Sequence, residues 1–160
     1  MVRQALFSVL GDSIEGKRVV DLCAGSGVIG LEAISRGAAE AVWVESDAAT
    51  FRILRDNVTG LLGAGAAVRC VRSDAIAWLK SALPPDGFDL VVADPPYQLN
   101  DGVPWAVLLL EAMTGSRRLK PDGLFVMEQR SDQPVIDNPG WNRLKDGRYG
   151  ETRLVYYRRV

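Results

Sequence analysis

Short apolar segments alternate with segments of helical periodicity along most of this 160-residue chain. The first apolar segment, residues 17–22 (KRVVDL), carries paired valines between two glycines, which is typical of a buried strand. Four later segments of similar length predict further strands at residues 41–45, 67–72, 88–93 and 124–128. The intervening segments predict helices at residues 27–36, 47–62, 74–83 and 103–113. Strands separated by helices in this way form a parallel sheet that is covered on both faces.

The C-terminal segment predicts a different arrangement. Residues 141–160 read as two strands around Asp146-Gly147, a dipeptide typical of hairpin turns. Residues 120–123 (KPDG) predict a turn before the fifth strand, and Gly37 is placed to end the first of these helices. We therefore predict an α/β fold, with one domain over residues 1–160. Its doubly wound, mostly parallel, Rossmann-like sheet has seven strands and an antiparallel C-terminal hairpin, and we expect a monomer.

Composition excludes several kinds of chemistry. The chain has no histidine, which removes Ser-His-Asp and Cys-His catalysis and histidine-based zinc sites, and we expect no metal. The net charge of −1 argues against nucleic-acid binding through overall basicity, while a local basic face remains compatible with it. Cys23 and Cys70 lack metal-site or redox spacing and are expected to be reduced, buried, small hydrophobic residues. Without a signal peptide or an apolar run of membrane-spanning length, a cytoplasmic location is expected.

Acidic residues follow four successive predicted strands. They are Asp21, Glu45, Asp74 and Asp94. In doubly wound sheets, ligands bind beyond the carboxyl ends of the strands, where the strand order reverses. The pattern therefore predicts an acidic ligand site at this edge. The alternative for each single acid is a helix cap or a solvated loop residue, and Ser73-Asp74 is the clearest case.

A glycine loop follows the first strand. Residues 25–30 (GSGVIG) form a complete G-x-G-x-x-G between strand and helix, and Glu45 lies twenty residues beyond Gly25, as in sites that bind ribose hydroxyls. The loop, with Gly25 and Gly27, predicts an adenosine-containing cofactor. The carboxylate of Asp21 would repel a pyrophosphate but would hydrogen-bond an ammonium group. The predicted cofactor is therefore S-adenosylmethionine, with S-adenosylhomocysteine as product, rather than NAD.

The fourth strand runs directly into Asp94-Pro95-Pro96-Tyr97. Two prolines stiffen the backbone and leave carbonyl acceptors without amide donors. The Asp94 carboxylate and the Pro95 carbonyl are thus suited to accept both hydrogens of a planar amino group, while Tyr97 stacks on the ring that carries it. This predicts methylation of an exocyclic base nitrogen. The alternative is a strand-ending turn in which Asp94 caps and Tyr97 belongs to the core.

These motifs carry a resemblance that spans the whole chain. The segments DLCAGSGVIGLEA, VESD, SDA and ADPPY resemble the motifs of class I S-adenosylmethionine-dependent amino-methyltransferases. The leading VRQALFSVL and the closing RYGETRL narrow it to bacterial methyltransferases of small-subunit (16S) ribosomal RNA that modify a guanine at N2. The resemblance implies a methionine-end site at Asp21, Gly25 and Gly27, and places Glu45 at the ribose and Asp74 at the adenine amine. It also implies that the residues holding the target guanine are Asp94, Pro95, Pro96 and Tyr97.

The resemblance makes ribosomal RNA the expected partner, within the small subunit or its precursor. Family members usually begin with a basic arm that this sequence lacks, so we expect cofactor binding but weak methylation. Candidate RNA contacts, each with the alternative of a solvated face, are Arg3, Arg117, Arg118, Lys120, Arg158 and Arg159. Trp43 and Trp78 are expected in the core, and Trp105 is a candidate for lining a substrate cleft.

Two other functions share parts of this pattern. A DNA adenine-N6 or protein-glutamine methyltransferase uses the same Pro-Pro-Tyr chemistry, but usually with an extra recognition domain. A non-catalytic Rossmann-type nucleotide-binding module would explain the glycine loop alone.

Overall fold

The computed structural model describes residues 2–64, 68–81 and 87–160. Its strands are β1 (Arg18–Leu22), β2 (Glu40–Glu45), β3 (Val68–Arg72), β4 (Phe88–Ala93), β5 (Leu119–Arg130), β6 (Trp141–Tyr149) and β7 (Thr152–Arg159). Its α-helices are α1 (Val2–Leu10), α2 (Val28–Ser35), α3 (Ala48–Leu62), α4 (Ala75–Lys80) and α5 (Trp105–Gly115). A short 3-10 helix, Gly11–Ile14, follows α1. In these ranges, no helix has the length and apolar character needed to cross a membrane.

The strands form a single seven-stranded sheet in the order β3-β2-β1-β4-β5-β7-β6. Strands β1 to β5 run parallel, and β7 pairs antiparallel with both β5 and β6. The strand order reverses between β1 and β4, so a crevice is expected beyond the carboxyl ends of these two strands. The predicted doubly wound sheet with an antiparallel C-terminal hairpin is confirmed.

The pleat of β1 sorts its side chains between two buried layers. Val20 and Leu22 pack on the side that holds Leu109 of α5, whereas Val19 packs with Leu6 of α1 on the other side. Because successive side chains of a strand point to opposite faces, the odd-numbered residues of β1 face the α1 and α2 side. This alternation determines where the carboxylate at position 21 points.

Local sequence signals account for several helix ends. Asp47 caps α3 through a hydrogen bond of 2.8 Å from the Thr50 N–H to its carboxylate. Gly37 has a φ of 91° directly after the last turn of α2, a backbone conformation that favours glycine. Trp43 and Trp78 are buried, as expected.

The predicted C-terminal turn is wrong. Asp146 and Gly147 lie inside β6, where they pair with Val155 and Leu154 of β7. The chain reverses instead around Gly150, whose φ is 67°. The long ladder between the two strands fixes the register, and this outweighs the local preference of an Asp-Gly pair.

Other predicted boundaries shift. Residues 120–123 belong to β5, where they bulge between the pairs Phe88–Leu119 and Leu90–Leu124. Helix α5 begins two residues later than predicted, because backbone hydrogen bonds between Asn100 and Val103 close a turn before it. The predicted strand start at Ala67 and helix end at Leu83 lie outside the described residues.

Candidate active site

A cavity of about 440 Å³ opens beyond the carboxyl ends of the parallel strands, close to the reversal point. Its volume lies within the range of sites for small molecules and cofactors. Its walls come from the segments that follow β1 to β4 and from the start of α5. The lining residues are Cys23, Gly25, Val44, Glu45, Ser46, Ser73, Asp74, Ala75, Asp94, Pro95, Pro96, Tyr97 and Trp105.

Seven of the nine predicted site residues line this one cavity: Gly25, Glu45, Asp74, Asp94, Pro95, Pro96 and Tyr97. The three acids among them follow β2, β3 and β4, so their meeting at one edge agrees with the strand-end pattern. The described lining includes three carboxylates and no Lys or Arg, so the cavity is complementary to a cationic ligand.

The glycine loop is shaped by close packing. Gly27 precedes α2 with a φ of 86°, and an added Cβ there would lie 2.5 Å from Cδ1 of Leu54. The Nε1 of Trp43 donates a hydrogen bond of 2.9 Å to the Gly27 carbonyl. A Cβ on Gly25, by contrast, would meet no atom within 4 Å. Close packing against Leu54 and Trp43 therefore requires a glycine at position 27. The space next to Gly25, by contrast, is open.

Glu45 ties the end of β2 to this loop. Its Oε2 accepts a hydrogen bond of 2.9 Å from the Gly25 N–H, and its Oε1 accepts one of 2.9 Å from the Asp47 N–H. A carboxylate has lone pairs for about four hydrogen bonds, so Glu45 retains acceptor capacity on the cavity side.

Asp21 differs from the sequence expectation, because it is not among the residues that line the cavity. It is 2% exposed, and its Oδ2 accepts a hydrogen bond of 3.0 Å from the Gly30 N–H at the start of α2. Burial, with the charges of Asp94 and Glu45 adding to it, raises the pKa of the Asp21 carboxyl to about 8, although the Gly30 hydrogen bond opposes this. The pleat of β1 explains the placement, because it directs this side chain towards α2.

Cys23 takes the place at the cavity wall that follows β1. It has a φ of 57°, a left-handed conformation that is uncommon for residues other than glycine and that occurs often at functional sites. Desolvation, together with the charges of Glu45, Asp94, Asp21 and Asp74, raises the pKa of its thiol to about 12. Cys23 and Cys70 are free thiols, as expected, but both are half-buried rather than buried.

Asp74 both caps a helix and lines the cavity. Its Oδ1 accepts a hydrogen bond of 2.9 Å from the Ala77 N–H and so caps α4, and the residue also lines the cavity. Capping fixes the orientation of the carboxylate at the cavity wall.

The segment 94–97 separates the cavity from a second, shallow groove. The N–H of Asp94 donates a hydrogen bond of 3.3 Å to the Leu22 carbonyl, which holds the segment against β1. Partial desolvation raises the pKa of the Asp94 carboxyl. Tyr97 is 44% exposed, so the alternative in which it belongs to the core is wrong. Trp105 lines both the cavity and the groove, in line with its predicted place in a cleft.

Glu128 is a residue that the sequence argument missed. It lies on β5 immediately after Met127, which pairs with Ala93, so its position along the sheet is next to that of Asp94. The Tyr97 hydroxyl donates a hydrogen bond of 3.4 Å to Glu128 Oε1. The signal was present, because the fifth predicted strand also ends in an acid.

Several basic residues proposed for RNA contact have structural partners instead. Arg118 is 5% exposed, and its guanidinium lies 3.9 Å from the centre of the Trp78 ring, so its assignment to an RNA-binding surface is wrong. Lys120 pairs with Asp89 at 2.8 Å. Arg159 donates hydrogen bonds to the carbonyls of Met113 and Ser116. The exposed Arg117 and Arg158 remain candidates.

The described residues contain no cluster of three or more His, Cys, Asp or Glu side chains suited to hold a metal ion.

Comparison with known proteins places the chain among methyltransferases. It is 31% identical to a Haemophilus influenzae protein named ribosomal RNA small subunit methyltransferase D, over 98% of this chain and 78% of that one. A conserved hypothetical protein from Streptococcus pyogenes has the same fold, with a TM-score of 0.83 and 28% identity over 99% of this chain and 95% of that one.

A second solved structure is a Thermus thermophilus 16S rRNA guanine-N2 methyltransferase (RsmC) in complex with S-adenosylmethionine and guanosine. It superposes with a TM-score of 0.72 and 23% identity over 98% of this chain and 41% of that one, which shows a shared fold. The model of the family described as Conserved hypothetical protein 95 matches residues 1–158. The chain therefore belongs to this family, and its resemblance to bacterial methyltransferases of small-subunit ribosomal RNA is confirmed.

Proposed function

We propose that this chain transfers a methyl group from S-adenosylmethionine to the exocyclic N2 amine of a guanine in small-subunit ribosomal RNA. The observation that carries the proposal is a cavity in which Glu45, Asp74 and Asp94 meet beside the rigid Pro95-Pro96 step. The relative from Haemophilus influenzae, which this chain matches over nearly its whole length, supports ribosomal RNA as the substrate class.

The cavity fits the cofactor in size and charge. S-adenosylmethionine carries a sulfonium and an ammonium group, and the described lining has carboxylates but no Lys or Arg. A dinucleotide would place a pyrophosphate against the same carboxylates, which would repel it. Open space above Gly25 allows close approach to the loop backbone.

The proposed contacts follow the placement of each side chain. Glu45 holds the ribose hydroxyls with its remaining acceptor capacity, and Asp74 accepts from the adenine amine. Gly25 contacts the methionine end, and Gly27 sets the loop conformation. Asp21 accepts a hydrogen bond from the Gly30 N–H and so positions the glycine loop. It does not contact the ammonium group directly.

The residues 94–97 bind and orient the N2 amine of the target guanine. Asp94 and the Pro95 carbonyl accept its two hydrogens, which directs the nitrogen lone pair away from the ring, and Tyr97 stacks on the flipped base. When bound, S-adenosylmethionine supplies a methyl carbon whose bond to sulfur breaks, leaving the electron pair on sulfur. Asp94 accepts the proton that the nitrogen releases as the new N–C bond forms, and the raised pKa of its carboxyl favours this transfer.

Two measurements test the proposal. Calorimetry should show binding of S-adenosylhomocysteine and no comparable binding of NAD. Tritiated S-adenosylmethionine should label undermethylated small subunits or their RNA, but not duplex DNA. Binding of NAD alone would favour a nucleotide-binding module, and label in DNA alone would favour an adenine-N6 methyltransferase.

A further inference from the structure

Glu128 lines the shallow groove beside the segment 94–97 and does not line the larger cavity. The groove beside it is lined by Pro95, Pro96, Tyr97, Leu99, Pro104, Trp105, Ala106, Met127, Glu128, Gln129 and Gln133. The groove is shallow, with a volume of about 20 Å³, so a planar ring would lie over it rather than inside it. Because the groove and the cofactor cavity share the residues 95–97, a base over the groove would lie against the amine-binding segment.

The surroundings of Glu128 are unusual for a structural carboxylate. Desolvation raises the pKa of its carboxyl to about 7, and the charge of Asp94 adds to this. Hydrogen bonds with Tyr97 and Thr152 oppose the shift only in part. Within the described residues, no Lys or Arg forms an ion pair with it. Desolvation and a neighbouring acid both disfavour the ionised form of Glu128, and ionisable groups perturbed in this way are common at ligand-binding and catalytic sites.

The two neighbouring carboxylates match one particular base edge. The Watson–Crick edge of guanine presents two adjacent donors, the N2 amine and N1–H. Adenine presents one amine beside the N1 lone pair, which would face a carboxylate unfavourably. A carboxylate can accept about four hydrogen bonds, so the contacts from Tyr97 and Thr152 leave Glu128 with acceptor capacity for a base.

We propose that Glu128 accepts the N1–H of the target guanine while Asp94 holds its N2 amine, so that this pair of acids selects guanine over adenine. The inference rests on the proposed function, because it assigns the base-selecting residue of that same site. A hydrogen bond from the Tyr97 hydroxyl orients the Glu128 carboxylate. The side chain that stacks on the base therefore also positions the carboxylate that accepts its N1–H.

The test separates this inference from the proposed function. First, mass spectrometry of nuclease fragments identifies the guanine that the wild-type chain methylates in small-subunit RNA. The same RNA is then prepared with 2-aminopurine at that position, because 2-aminopurine keeps the N2 amine and lacks N1–H. Rates are compared for the wild type, Glu128→Gln and Glu151→Gln, where Glu151 is an exposed neighbour in the turn before β7.

Loss of a charge-assisted hydrogen bond corresponds to a preference of about 10- to 100-fold for guanine over 2-aminopurine in kcat/KM. We expect this preference in the wild type and in Glu151→Gln, and a preference below about 3-fold in Glu128→Gln. An unchanged preference in Glu128→Gln, with guanine still methylated by the wild type, would overturn the role of Glu128 alone. Absence of N2-methylguanosine with the wild type would overturn the proposed function and this inference together.

The pH dependence supplies a second readout that a purely structural role would not change. The titratable groups that face Glu128 from neighbouring elements are Asp94 and Tyr97. As the pH rises through about 7, Glu128 loses its proton and the preference for guanine should increase. In Glu128→Gln this increase should disappear, and its persistence would count against the assignment.

Discussion

Trp43 lies so close beneath Gly30 that an added Cβ would come within 2.4 Å of the indole Nε1. The indole is fully buried and hydrogen-bonded to the Gly27 carbonyl, so it has little room to move. We expect Gly30→Ala to lower the free energy of unfolding by about 1–3 kcal/mol through overpacking, despite the better helix propensity of alanine. Urea denaturation measures the change.

Gly60 in α3 provides the matched control. A Cβ there would meet no atom within 4 Å, so Gly60→Ala should raise the free energy of unfolding by about 0.4–1 kcal/mol. Equal effects of the two substitutions would mean that contact with Trp43 does not explain the third glycine of the loop.

Protonation of Asp21 should make stability depend on pH. Its pKa rises from 3.8 in the unfolded chain to about 8 in the fold, so between these values only the folded form holds the proton. The contribution is therefore fully present below about pH 4 and is lost as the pH rises through about 8. Relative to Asp21→Asn, the wild type should lose about 2–3 kcal/mol of unfolding free energy between pH 5 and pH 7, because each pH unit between the two pKa values corresponds to about 1.4 kcal/mol.

Asp89→Asn is the control with the opposite sign. Burial by itself raises the pKa of Asp89, but the Arg18 N–H and the Lys120 ammonium outweigh it and hold the pKa below its usual value. The stabilisation by Asp89 is thus present above about pH 4 and is lost at lower pH. A constant gap between the wild type and Asp21→Asn from pH 5 to pH 7 would contradict a buried, protonated Asp21.

Glu45 is predicted to hold the cofactor, and calorimetry with S-adenosylhomocysteine tests this. Glu45→Gln should weaken binding by about 10-fold or more, because hydrogen bonds to a charged group are lost or weakened. Glu40 begins the same strand at its far end and pairs with Arg18 at 2.6 Å. Glu40→Gln should leave the affinity unchanged, and equal affinities for both variants would remove Glu45 from the site.

Two consecutive arginines should behave differently. The Nη2 of Arg118 donates hydrogen bonds of 2.9 Å to the Trp78 carbonyl and 2.6 Å to the Ser81 hydroxyl. Arg118→Ala should therefore lower the free energy of unfolding by about 2–3 kcal/mol. The exposed Arg117→Ala should change it by less than about 0.5 kcal/mol. A stable Arg118→Ala variant with weakened RNA binding would restore Arg118 to the RNA-binding surface.

The sequence was sufficient for features set by local or periodic patterns. The βα alternation predicted the sheet, and the acids at strand ends brought Glu45, Asp74 and Asp94 to one cavity. The sequence was insufficient for features that depend on the direction of a side chain or on its partners in the fold. The position of Asp21 at a strand end is visible in the sequence. Its side chain meets Gly30 because the pleat directs it to the face that α2 covers, and the sequence does not show which face each helix covers.

Pairing partners explain the other differences. The turn predicted at Asp146-Gly147 gave way to a register set by the whole of β7. The burial of Arg118 depends on Trp78, forty positions away in the sequence, and a basic cluster in the sequence does not show it.

The most direct test of the account is nucleoside mass spectrometry of undermethylated small-subunit RNA after incubation with S-adenosylmethionine and either the wild type or Asp94→Ala. We predict N2-methylguanosine with the wild type and none with Asp94→Ala, while both bind S-adenosylhomocysteine with similar affinity. Methylation by Asp94→Ala at the wild-type rate, or a methyl group found only on adenine, would contradict it.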